Sequence, residues 1–207
     1  GENCFYYITT MNENYVHPDM PEGVEDGIVR CLYRLRLVSV ESGPVVQLLG
    51  AGAILREVEA AADLLARDFG IASDVWSVTS VNELARDGND AARWNRLHPT
   101  EAPRVPYLTE QLAGAPGPVI AATDYQRAHT DQLREFVPSS FTVLGTDGFG
   151  RSDTRQQLRQ HFEVSREHIA LAAIKALADQ GALPLEAVQD ALSKLGIDAD
   201  KPNPMTV

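Results

Sequence analysis

Three places in the sequence gather residue types that could do chemistry. The first is Gly50-Ala51-Gly52, which follows the apolar run Val45 to Leu49 and precedes a helical pattern. Glycines there would let a pyrophosphate approach the backbone, and the helix start would offer it free N–H groups. A dinucleotide site needs a third glycine, however, and Arg56 and Glu57 follow where it would fall. Asp74, the acidic residue of the next strand, lies at that strand's beginning rather than its end. The turn therefore reads as structural.

The second place is Gly145 to Arg155 (GTDGFGRSDTR), with three glycines, two aspartates and two arginines directly after a strand. Loops at the carboxyl ends of parallel strands are where α/β proteins bind things. Three readings stand: an anion site using Arg151 and Arg155, a subunit contact anchored by Phe149, or a turn. In the turn, Ser152 or Asp153 caps the next helix and Asp147 pairs locally with an arginine. The third place is Val75 to Gly88 (VWSVTSVNELARDG), where Ser80 suits a helix cap and Glu83 stands at the capping-box position. Trp76, like Trp94, suits core or interface packing.

The remaining reactive side chains point away from metal or nucleophilic chemistry. His17, His98, His129, His161 and His168 show no HExxH spacing, and most suit surface or cap roles. No GxSxG elbow is present, and Cys4 and Cys31 read as reduced thiols rather than as a disulfide framework.

Around these segments, periodicity defines the elements. Phe5 to Thr10 carries a strand signature with no partner before it, and Met11 to Gly27 reads as an irregular connector. Arg30 to Val40 alternates apolar and basic residues, which predicts an edge strand turning at Glu41 to Pro44 back into the next strand. Strands at Val45 to Leu49, Val75 to Val78, Val119 to Thr123 and Phe141 to Leu144 alternate with helical stretches near Ile54 to Phe69, Val81 to Arg86, Tyr107 to Leu112 and Tyr125 to Phe136. Arg93 to Pro99 reads as irregular. A short helix over Asp153 to Gln160 is followed by one from a Ser165 cap to Gln180, then by one from Pro184 with Leu185, Val188, Leu192 and Leu195 inward. The tail after it is expected to fray. Strands separated by helices predict a three-layer α/β/α sandwich, its sheet mostly parallel with one antiparallel edge strand.

Composition narrows the function classes. With 29 acidic against 18 basic residues the net charge is -11, which repels nucleic-acid phosphates and anionic lipid. No apolar run approaches the roughly 20 residues that span a bilayer, and GENCFYYITT lacks a signal-peptide pattern. Neither nucleic acid nor membrane is expected as a partner, and the expected compartment is the cytoplasm. A chain that opens on an extended apolar run without methionine is expected to be a piece of a longer protein.

Six ordered segments carry a family resemblance: MNENYVHPDMPEG (Met11 to Gly23), DVWSVTSVNELARDG (Asp74 to Gly88), RWNRLHP (Arg93 to Pro99), RVPYLTE (Arg104 to Glu110), VLGTDGFGRSDTR (Val143 to Arg155) and HFEV (His161 to Val164). With GIDADKPNP near the end, they resemble the carboxy-terminal region of the homodimeric-type bacterial pyruvate dehydrogenase (acetyl-transferring) component, a transketolase-like thiamine diphosphate enzyme. The resemblance implies that residues 1–27 are the end of a preceding pyrimidine-binding domain and its linker, and 28–207 a transketolase-like carboxy-terminal domain. It implies thiamine diphosphate and magnesium in the full-length enzyme and neither in this region, because the family's GDG-type cofactor motif and catalytic residues have no counterpart here. Its partners would be the second subunit of the homodimer and, through the parent enzyme, the dihydrolipoyl acyltransferase component. Expected contact residues are Glu13, Tyr15 and His17 in the linker and Asp147, Phe149, Arg151, Ser152, Asp153 and Arg155 in the loop. Two rivals are a regulatory module binding an anionic effector and an independent small α/β enzyme.

Overall fold

The computed structural model describes residues 3–5, 14–16 and 18–207. Most of the strand expected over Phe5 to Thr10, and the contact residues Glu13 and His17, lie outside the described residues.

Five strands, β1 (Leu32–Val38), β2 (Val45–Ala51), β3 (Ala72–Val78), β4 (Val119–Ala122) and β5 (Phe141–Leu144), form one sheet in the order β1-β3-β2-β4-β5. All neighbours are parallel except β1, which runs antiparallel to β3 at the edge. The expected edge strand is present, but it does not turn back onto β2. Residues of β2 and β3 are buried on both faces, whereas β1 alternates and exposes Arg34. Doubly buried strands belong inside a sheet, so β3 takes the place beside β2 and β1 pairs outside it.

Helices α1 (Glu25–Val29), α2 (Leu55–Phe69), α3 (Val81–Leu97), α4 (Tyr107–Leu112), α5 (Arg127–Asp131), α6 (Arg155–His161), α7 (Arg166–Asp179) and α8 (Glu186–Leu195) complete the architecture. Alternate residues of the central strands feed two cores, which makes the three layers. On one face Val46, Leu48 and Ile120 meet α2 and α7 through Val58, Leu65, Ile169 and Ile174. On the other, Leu49, Val119 and Ala121 meet Leu84 of α3 and Leu108 of α4. Each large side chain so buried contributes about 1.5–3 kcal/mol, which makes the two cores the main source of stability.

Five local expectations change. Helix α3 continues to Leu97, through the segment that read as irregular, because its buried stripe runs on in small residues, Ala85, Gly88 and Ala91, that carry little apolar signal. Gly88 is small for a reason: a Cβ there would lie 2.4 Å from the Phe136 ring. Tyr125 to Phe136 splits into α5 and a 3-10 turn at Arg134–Phe136, and the connector contains α1, whose Gly27 packs 2.8 Å from Tyr33 Cβ when a Cβ is built on it. Leu185, just before α8, is 64% exposed, and within α8 Ala191 is the buried residue, since α8 meets α7 along a short face. The tail does not fray, because Pro204 is buried and Lys201 donates to the His161 carbonyl at 2.8 Å.

Candidate functional site

The carboxyl ends of β2, β4 and β5 converge on one surface, and the expected contact residues that are described lie on or beside it. Gly50 is there because α2 begins at once: a Cβ would meet Leu55 Cα at 2.8 Å. At Gly52 a Cβ would lie 3.2 Å from Oδ1 of Asp124, which follows β4. This is the switch point of the sheet, where connections leave toward opposite faces and α/β proteins commonly hold ligands. Here an aspartate side chain crosses it, and the glycine turn serves close helix packing.

The loop after β5 is built onto the loop after β4. Gly145 is buried where a Cβ would meet the Tyr125 carbonyl at 2.7 Å, and Thr146 donates its N–H to that carbonyl at 2.9 Å. Thr146 Oγ1 also donates to the Asp124 carbonyl at 2.6 Å. Asp147 accepts from the Arg127 backbone N–H at 3.0 Å and faces its guanidinium at 3.6 Å. Asp147 thus pairs with an arginine twenty positions earlier instead of with Arg151 or Arg155, and no local pattern marks Arg127 as its partner. The cap of α6 is Thr154, whose hydroxyl accepts from Gln157 N–H at 3.3 Å. Asp153 supports it by accepting from Thr154 N–H at 2.7 Å, so neither Ser152 nor Asp153 is the cap.

Beyond Asp147 the loop faces outward. Phe149 is 77% exposed, and Arg151, Ser152, Asp153 and Arg155 are exposed. Arg151 makes no hydrogen bond or ion pair among the described residues, while Tyr125 nearby is 62% exposed. In the linker, the Tyr15 ring lies under the Arg56 guanidinium at 4.5 Å, in the first turn of α2. Tyr15 therefore reaches the same end of the sheet.

Beneath the loop, a cavity of about 750 Å³ opens between Arg151 to Asp153, α6 and the turn after α8. Asp153 and Asp198 balance Arg151 and Lys201 in its wall, which does not select an anion. His161 and His168 also line it. Sequence reasoning placed most histidines at the surface, but His168 is buried and its Nδ1 lies 2.9 Å from Ser165 Oγ. Ser165 is indeed the N-cap residue of α7, yet its hydroxyl serves His168 instead of a backbone N–H. At Ser80 the expected cap forms, accepting from Glu83 N–H at 3.2 Å, while the Glu83 carboxylate pairs with Arg86 and so leaves the capping box half made. His98 meets the cap expectation, stacking on Trp94 with its Nδ1 2.8 Å from the Trp94 carbonyl.

Burial holds the His168 imidazole below its usual range; the charge of Glu163 opposes this and that of Lys201 adds to it. A histidine with a depressed folded-state pKa is charged more readily when unfolded, so stability is complete above about pH 6.5 and declines as pH falls from there toward the folded value. His168→Asn, which keeps an acceptor or donor for Ser165, is expected to flatten the fall in urea midpoint between about pH 7 and pH 5. An unchanged slope would remove His168 as its cause.

Asp147 is committed to Arg127, and among the described residues no group of three or more His, Cys, Asp or Glu side chains could hold a metal. No helix among them is long and apolar enough to cross a membrane.

A parallel sheet with one antiparallel edge, helices on both faces and an elaborated loop after its last strand place the chain in a known class: residues 32–165 match the transketolase-like carboxy-terminal domain, and the chain belongs to that family. Within it, the chain matches the carboxy-terminal region of bacterial pyruvate dehydrogenase E1 components. It is 56% identical over its whole length to the one from Cupriavidus necator and 55% identical over 99% of its length to the one from Pseudomonas aeruginosa. It spans 23% of the length of each. A transketolase from Pichia stipitis shares the fold with a TM-score of 0.50 at 16% identity, over 75% of this chain and 19% of that one.

Proposed function

We propose that this chain is the assembly domain of the pyruvate-decarboxylating component of a pyruvate dehydrogenase complex. In the parent enzyme, thiamine diphosphate and magnesium would support oxidative decarboxylation of pyruvate with acetyl transfer to lipoyl groups in the cytoplasm. This domain would support the homodimer and buttress the active-site domains, and the parent enzyme would meet the dihydrolipoyl acyltransferase component. Residues 1–27 would link it to the domain before.

The observation that carries this reading is the loop Gly145 to Arg155. Its base is tied down by Thr146 and Asp147, and its outer half offers an exposed aromatic and a guanidinium that nothing among the described residues engages. Aromatic and arginine side chains presented together are typical anchors of protein interfaces. In the full-length enzyme, the double variant Phe149→Ala with Arg151→Ala is expected to raise the dimer dissociation constant at least about tenfold and to lower activity with it, as loss of two anchors implies. Sedimentation and turnover unchanged from the parent would end the proposal.

The 207-residue chain alone is expected neither to bind thiamine diphosphate nor to decarboxylate pyruvate. Stoichiometric cofactor binding in a calorimetric titration would overturn that expectation.

A further inference from the structure

We infer that the tail of the chain, Ile197 to Val207, is a positioning strut for the Gly145 to Arg155 loop, an inference that rests on the assembly reading of that loop. The tail is fastened at two points. Lys201 Nζ donates to the His161 carbonyl at 2.8 Å and to Glu163 Oε1 at 2.9 Å, at the end of α6. Asn203 then folds the chain, its Oδ1 accepting from Met205 N–H and its carbonyl from Thr206 N–H, each at 2.9 Å. This turn sets the buried Pro204 directly against the loop.

The fit at that point requires glycine twice over. Gly148 has φ +106, a conformation that side-chain-bearing residues rarely adopt, and a Cβ there would stand 2.4 Å from the Pro204 carbonyl oxygen and 3.2 Å from Met205 Cα. The next residue is the exposed Phe149. A backbone hydrogen bond holds the loop's base to Tyr125, and at Gly148 the loop lies directly against the tail. The tail also brings Met205, 57% exposed, to this point of the loop, its Cα 3.2 Å from a Cβ built on Gly148.

The test uses the full-length enzyme with Pro202 to Val207 removed, a truncation that keeps α8 and the lysine clamp, with and without Gly148→Ala. Amide exchange of the peptide covering 145–155 reads the loop directly, and sedimentation reads assembly. Truncation is expected to speed loop exchange by about tenfold or more and to weaken the dimer in parallel. Gly148→Ala is expected to speed exchange in both backgrounds, because φ +106 strains any side chain, and to do so more with the tail present, where its Cβ also meets Pro204. Exchange unchanged by truncation, or an equal effect of Gly148→Ala in both backgrounds, would overturn the strut. Faster exchange with an intact dimer would leave the strut standing and remove the assembly reading of the loop.

Discussion

Glu57→Ala is expected to lower the stability of the fold by about 1–3 kcal/mol, because it removes a 6% exposed carboxylate shared by Arg159, 17% exposed, and the more solvent-screened Arg166, 46% exposed. Glu57 sits in α2 with its side chain 6% exposed and binds both neighbours that follow the strand-end loop. Arg159 of α6 reaches Oε1 at 3.0 Å. Arg166, at the start of α7, gives Nε to Oε2 at 3.0 Å, Nη2 to Oε1 at 3.1 Å and its backbone N–H to Oε2 at 3.1 Å. Two parallel guanidinium bonds fix geometry as well as charge. The same carboxylate makes a pH prediction. Burial alone would raise its pKa, but the hydrogen bonds and charge of Arg166, helped by Arg159, outweigh that and hold it below the usual 4.5. A depressed carboxyl pKa adds stability that is complete above about 4.5 and is lost as pH falls through the folded value. Glu57→Gln, which keeps the shape, is therefore expected to lose stability at neutral pH and to lose less of it on acidification than the parent. An alanine variant whose urea midpoint equals the parent's would show that Arg159 and Arg166 need no buried partner.

Gln47→Ala is expected to cost about 3–4 kcal/mol, combining a cavity with stranded polar groups. Gln47 is fully buried in β2 and joins three partners. Its Oε1 accepts from the Trp76 indole N–H at 2.9 Å, and its Nε2 donates to Asp74 Oδ2 at 3.1 Å and to the Pro116 carbonyl at 3.0 Å. Removal leaves an indole N–H, a nearly buried carboxylate and a carbonyl without this partner in a place water reaches poorly. Near-ultraviolet circular dichroism would report the change at Trp76, and urea unfolding the loss of stability. If alanine were tolerated within a few tenths of a kcal/mol, the network would be incidental to the sheet.

Neither site was legible as such in the sequence, though each left a trace. Gln47 interrupts an otherwise apolar strand, and Glu57 lies among Ile54, Val58 and Ala61, which share the buried face of the helical turn from the strand end into α2. A polar or charged residue on a buried face implies a partner, because unpaired burial is too costly to persist. What it cannot specify is which partner, since Arg166 lies 109 positions from Glu57 and Trp76 lies 29 from Gln47. Asp147 shows the same limit: an arginine was expected beside it, and the one that arrived came from the start of α5.

By itself the sequence determined the five strands and most of the helices, the three-layer arrangement, the edge character of the strand with Arg34 and Arg36, and the family. These follow from residues within a few positions of one another, or from segments recognisable in order. Only the tertiary structure decided that β3 rather than β2 lies beside β1, that the tail returns to Gly148, and that Tyr15, Tyr125 and Phe149 reach one end of the sheet. Those choices depend on which buried faces satisfy each other across long stretches of chain. Periodicity can state the need for such a partner, but packing alone selects it.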